Sequence, residues 1–174
     1  MSGVAAARTT RQGCILFTDL VGFTAFTEVV GDRAAVSVLD VQATIVDDVL
    51  ARDTGARIVK ELGDGLMIWF GGAANGLVRS VELRVALMRA MRDGFPLSVR
   101  MGMHHGEAIE RGDDLVGHAV NVASRVAELA GPGELLVSED VVAACAEAAG
   151  AEVRPIGPTT VKGVSEPIWL YRVL

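Results

Sequence analysis

The sequence predicts an α+β domain, with a ferredoxin-like βαββαβ core, a mainly antiparallel sheet flanked by helices, and a smaller C-terminal αβ extension. Apolar residues switch repeatedly between strand-like runs and helical i, i+3, i+4 spacing. The order of switching is strand, helix, two strands around a glycine turn, helix, strand, which is that of a split βαβ unit. At 174 residues the chain has the length of one domain and can bury a core without staples.

Residues 13–20 read as a buried strand that carries Asp19 near its end. After a break in "LVGFTAFT", Val36, Leu39, Ala43, Val46 and Leu50 recur at helical spacing and predict an amphipathic helix over about 32–52. "ARIVKELGDGLMIWF" reads as two short strands around Gly63 and Asp64, which places Asp64 at a hairpin tip. Leu77, Val81, Val85 and Met88 mark a second long helix, followed by Pro96 and the extended stretch "LSVRMGMHHGEAI". A helix over about 117–130 is stopped by "GPG". The tail supplies a strand at 134–138, a helix near 139–149, and strands near 151–156 and 167–173. Residues 1–12 carry no ordering signal and are expected to be a disordered N-terminal segment ahead of a domain at 13–174.

Composition narrows the function classes. A formal charge of −6, with no block of consecutive basic residues, argues against a nucleic-acid polymer as the main partner. A small anionic ligand stays compatible, because a few local cations and metal ions suffice to hold it. The two cysteines, Cys14 and Cys145, suit packing roles in a reduced compartment. "MSGVAAARTTRQG" lacks the apolar stretch of a signal peptide, and the longest uncharged stretch, Gly65 to Val78, is too short and glycine-rich to span a bilayer. A cytoplasmic location without direct membrane contact is the expectation.

Asp19 at a strand end and Asp64 at a hairpin tip offer hard oxygen ligands suited to Mg²⁺ or Mn²⁺ if they converge. Asp64 could equally be a plain turn former. The glycine and hydroxyls after Asp19 could let backbone amides approach phosphate, or could be a helix start capped by Thr24. Asn121 and Arg125 are four apart on the predicted helix and share a face, as a surface pair would. His104 and His105 point to opposite faces of a strand and cannot easily share one ion; His104 reads as a packed or hydrogen-bonded residue, and Trp69 and Trp169 as core or interface aromatics.

Together "FTDLVGFTAFT", "KELGDG", "VRMGMHHGEAIERGDDLVGHAVNVASR" and "VKGV" resemble the catalytic domain of the class III nucleotidyl cyclases, especially the compact bacterial adenylate cyclase type, collinearly from about Gly13 to Leu174. The resemblance implies that Asp19, Asp64 and the backbone carbonyl of Leu20 bind two divalent metal ions. It implies that Lys60 and Asp114 read the purine of ATP and that Asn121 and Arg125 are catalytic. Arg100, Lys162 and the turn of Gly22, Phe23 and Thr24 would hold the triphosphate. The chemistry of the base readers agrees with adenine: an ammonium donates to N1 and a carboxylate accepts from the 6-amino group. A head-to-tail homodimer is also implied, with the metal aspartates of one subunit facing the other residues of its partner. A guanylate cyclase, a diguanylate cyclase and a non-catalytic nucleotide-binding or dimerisation module are the alternatives. The first conflicts with Lys60 and Asp114, the second lacks its signature, and the third would typically have lost a metal acid or the arginine.

Overall fold

Strand β1 (Thr10–Leu20) is the axis around which the other elements are arranged in a computed structural model describing residues 8–145 and 150–174. It leads into α1 (Phe23–Val30), α2 (Asp32–Leu50), the hairpin of β2 (Ala56–Leu62) and β3 (Gly65–Phe70), α3 (Ala73–Arg92) and the long β4 (Val99–Arg111). The extension consists of β5 (Asp114–Val116), α4 (His118–Leu129), β6 (Leu135–Ser138), α5 (Glu139–Cys145), β7 (Val153–Thr159) and β8 (Ile168–Val173). The sheet order is β2-β3-β1-β4-β6-β8-β7, with β5 paired to β4. Its first four strands have the ferredoxin-like arrangement, and every pairing is antiparallel except β4 with β6.

Both faces of the central strands are covered, so β3 "GLMIWF" is buried at every position rather than alternating. On one face Leu16, Ile68, Phe70, Met101 and Met103 pack with Leu83 and Leu87 of α3 and Val46 of α2. On the other Ile15, Met67 and Trp69 pack with Leu115 of β5 and Ala119 and Ala123 of α4. Helix α4 lies directly on the backbone of β4: a Cβ at Gly102 would stand 2.0 Å from the amide nitrogen of Ala127. A third cluster joins Val122 and Val126 of α4 to Val161, Ile168 and Leu170 of the tail.

The predicted elements are present, with differences at particular places. Strand β1 begins at Thr10, three residues before the predicted start, because Thr10 to Gln12 pair with Ile109 to Glu107 of the long β4. The break before the main helix contains a helix of its own, α1, separated from α2 by Gly31 at φ +83°. Its N-cap is Gly22 with no side-chain cap, which overturns the reading of Thr24 as the cap. Strand β5 had no counterpart in the sequence reading, since three residues are too few to display a period. The strand expected at 151–156 lies at Val153–Thr159. Helix α5 is described to Cys145, and the rest of the predicted 139–149 helix lies outside the described residues, as do the first seven residues of the expected N-terminal segment. Both cysteines are buried free thiols, and burial pushes each above its ordinary pKa, in keeping with packing roles. Trp69 is a core residue, whereas Trp169 is 44% exposed. No described helix is long and apolar enough to cross a membrane.

Candidate active site

The first feature of the site comes from a close approach of backbones. A Cβ at Gly65 would meet the carbonyl oxygen of Thr18 at 2.7 Å, so glycine there lets the β2–β3 hairpin press its tip against β1. The turn places Asp64 where its Oδ2 accepts a hydrogen bond from the backbone N–H of Leu20 at 3.1 Å. Behind the tip, Gln42 of α2 is buried and its Nε2 donates to the carbonyl oxygen of Asp64 at 3.4 Å. Asp64 is thus more than a turn former.

Asp19 projects from the face of β1 that carries Ile15 and Phe17, beside Asp64. Burial and the nearby Asp19 carboxylate push the Asp64 carboxyl above its usual pKa, against hydrogen bonds from its own and Leu20's amides. Two acids crowded in this way favour a cation between them. The β1–β4 register sets Arg100 directly opposite Asp19, and its Nε and Nη2 both donate to Asp19 Oδ2 at 2.7 Å. Asp19, Gly65 and Arg100 line one cleft of about 190 Å³ with Ser124, Ala127 and Glu128 of α4. Gly22, at φ +79°, opens α1 next to Asp19 and leaves the first amides of that helix, including those of Phe23 and Thr24, without intrahelical acceptors. Phe23 packs partly into the core, while Thr24 is exposed.

A β-bulge builds the second group. The β2–β3 register shifts between Ile58 and Lys60, making Val59 an extra residue. Arg57 stands opposite Trp69 and Lys60 opposite Met67, so both project to the α4 side although three apart in sequence. A regular strand would have sent them to opposite faces. Lys60 Nζ then reaches Asp114 Oδ2 at 2.7 Å, and the ammonium holds the Asp114 carboxyl below its usual range. The other oxygen of Asp114 accepts from the N–H of Leu115 at 2.8 Å, and buried Leu115 anchors the strand.

Asn121 and Arg125 lie on the outer side of α4, opposite the buried Val122, Ala123 and Val126. Arg125 Nη1 pairs with both carboxylate oxygens of Glu128, at 2.7 and 2.8 Å, rather than with Asn121. Lys162 is exposed in the β7–β8 connection, which the buried Val161 seats against α4. His104, 9% exposed, has its Nδ1 2.8 Å from Ser138 Oγ, which makes it a hydrogen-bonded interior residue; burial lowers its pKa to about 4.

The structure therefore brings Asp19, Asp64, Leu20 and Arg100 together, and separately Lys60 with Asp114. None of Lys60, Asp114, Asn121 or Arg125 lines the cleft at Asp19. Sequence reasoning passed over Gln42, Arg57 and Glu128. Gln42 was findable as a polar residue in the apolar stripe Val38, Gln42, Val46, and Glu128 as an acid three residues after Arg125.

The family described as adenylate and guanylate cyclase catalytic domain matches residues 5–173. A pH-sensitive adenylate cyclase of Mycobacterium tuberculosis is 32% identical over 166 residues, covering 94% of this chain and 41% of the relative. The chain thus spans less than half the length of that relative. Among solved structures, the adenylyl cyclase CyaB from P. aeruginosa superposes with a TM-score of 0.83 at 24% identity, covering 96% of this chain and 95% of the other. The guanylyl cyclase Cya2 does so with a TM-score of 0.81 at 25% identity, covering 95% and 93%.

Proposed function

The chain belongs to the adenylate and guanylate cyclase catalytic domain family, and from that premise we propose that it converts ATP to 3′,5′-cyclic AMP and pyrophosphate at sites shared across a head-to-tail homodimer. The observation that carries the choice of ATP is the Lys60–Asp114 pair, a donor and an acceptor held 2.7 Å apart on the face that also carries Asp19. Lys60 donates to N1 of adenine and Asp114 accepts from the 6-amino group. Guanine presents the reverse pattern, and each buried polar group left unpaired costs about 1–3 kcal/mol.

The crowded carboxylates of Asp19 and Asp64 fit a site for two divalent ions, Mg²⁺ or Mn²⁺, with the carbonyl of Leu20 as a further oxygen ligand. When bound, such ions lower the pKa of the ribose 3′-hydroxyl and neutralise phosphate charge. The chain's own residues do the rest. Asn121 orients the ribose so that the 3′-oxygen faces the α-phosphorus in line with the departing oxygen. The new phosphorus–oxygen bond forms as the bond to the β-phosphate bridge breaks, the hydroxyl proton goes to solvent, and pyrophosphate leaves. Arg125 stabilises charge developing on the α-phosphate, worth about 10²–10³-fold in rate for a preorganised donor. Arg100, Lys162 and the amides opening α1 at Gly22, Phe23 and Thr24 hold the triphosphate.

Two features support the shared site. The cleft at Asp19 is about 190 Å³, below the roughly 300 Å³ at which small-molecule pockets begin. The base readers and Arg125 lie outside it, so a second chain in a twofold arrangement would complete each site. The experiment is a product assay with ATP or GTP and Mg²⁺ or Mn²⁺, beside Asp64→Ala. Cyclic AMP lost in that variant is the expected result; cyclic GMP as the main product would refute the substrate assignment.

A further inference from the structure

The base readers sit on strands that do not hydrogen-bond to each other: β2 pairs with β3, and β5 with β4. Two side-chain contacts tie the strands together. One is Lys60 Nζ to Asp114 Oδ2 at 2.7 Å; the other is Arg57 Nη1, donating to the main-chain oxygen of Asp113 at 2.9 Å. The β4–β5 hairpin is tight, with Arg111 opposite Asp114, so Gly112 and Asp113 alone form the turn. Gly112 takes a positive φ of 62°, and because the acceptor, Asp113, is the other turn residue, the bond from Arg57 grips the turn itself.

The two ties differ in what else they must do when a base is read. The ammonium of Lys60 has three donors and the carboxylate of Asp114 two acceptor oxygens, so each also bonds the purine, at N1 and at the 6-amino group, and their mutual bond shares its geometry with the base. The bond from Arg57 to a backbone carbonyl makes no contact that the base replaces. The bulge at Val59 puts Arg57 and Lys60 on the same face of β2, which lets one strand hold the turn and read the base at once.

We propose that Arg57 is a positioning residue for base selection: its guanidinium fixes the β4–β5 turn so that the carboxylate of Asp114 keeps its place while it and Lys60 read the base. This rests on the base-reading role given to Lys60 and Asp114 above. Arg57 touches neither the base nor the phosphates.

The test compares Arg57→Ala and Arg57→Lys with the intact protein, using Lys60→Ala as a gauge. Amide hydrogen exchange of the nucleotide-free protein reads the tether, and kcat and KM for ATP and GTP read its consequence. For Arg57→Ala, exchange across residues 111–115 should quicken while β1 is unchanged. KM for ATP should rise about threefold to tenfold, the loss of one charge-assisted hydrogen bond at a partly exposed site, with kcat nearly unaltered. The ratio of kcat/KM for ATP to that for GTP should fall by a similar factor, and Arg57→Lys should lie in between. Unchanged exchange overturns the tether. Faster exchange with an unchanged ATP:GTP ratio, where Lys60→Ala does alter that ratio, overturns the positioning role. If Lys60→Ala leaves the ratio unaltered, the base-reader assignment fails and the role of Arg57 falls with it.

Discussion

Gly102→Ala couples packing to the site and can be worked through from distances. A Cβ there would lie 2.0 Å from the backbone nitrogen and 2.4 Å from the Cα of Ala127, where ordinary contact begins near 3.4 Å. Helix α4 would have to retreat from β4 by about 1.4 Å, the difference between 3.4 and 2.0 Å. Overpacking of this kind costs about 3 kcal/mol, and a domain of this size loses roughly 2–4 °C in Tm per kcal/mol, so Tm should fall by about 6–12 °C. Because α4 carries Asn121 and Arg125, turnover should fall further than the folded fraction does; misplacement by about 1 Å can cost roughly 10²-fold. The clash is with backbone, so adding Ala127→Gly should not rescue it. The assay is thermal melting together with cyclic nucleotide formation at a temperature where the variant is fully folded. Gly71→Ala, whose nearest contact would be an ordinary 3.7 Å, is the control. A Gly102→Ala protein with unaltered Tm and turnover would refute the account of how α4 is seated.

The remaining predictions concern pH and the sharing of sites. His104 has a pKa near 4 when folded and 6.5 as its ordinary value. Between those values the unfolded chain binds the proton and the folded chain does not. Its contribution is therefore fully present above about pH 6.5 and is lost as pH falls toward 4, by about 3 kcal/mol in all. Urea unfolding at pH 7.5 and 4.5 should show a smaller loss on acidification for His104→Gln than for the unaltered protein; parallel losses would remove this role. Arg125→Ala should lower turnover about 10²-fold or more with little change in Tm, since its bond to Glu128 is a surface pair. Mixed with Asp19→Ala protein, it should recover roughly a quarter of full activity through one intact site per heterodimer. No recovery despite confirmed subunit exchange would count against shared sites.

The sequence by itself determined the order and type of the main elements, because side-chain periods of 2 and 3.6 are written residue by residue. Val36, Leu39, Ala43 and Val46 recur at helical spacing, although α2 turns Ala35, Val38, Gln42, Val46 and Val49 inward and leaves Val36 54% exposed, and "GDG" between two apolar runs marks the hairpin turn. It also supplied the candidates for the proposed site, since Asp19, Asp64, Lys60, Asp114, Asn121 and Arg125 stand in motifs that run collinearly. It did not reveal β5, which is held in place by the antiparallel pairing of three residues with β4 and by the burial of Leu115. The tertiary structure alone decided which of these residues meet. Asp64 reaches Leu20 because Gly65 lets two backbones close to a distance no side chain would permit. Arg100 lies on Asp19 because the β1–β4 register sets them opposite. Lys60 reaches Asp114 because one extra residue at Val59 turns it to the face it would otherwise have missed. Registers, bulges and backbone contacts are relations between segments distant in sequence, settled by how both faces of the sheet are covered, and no local period records them.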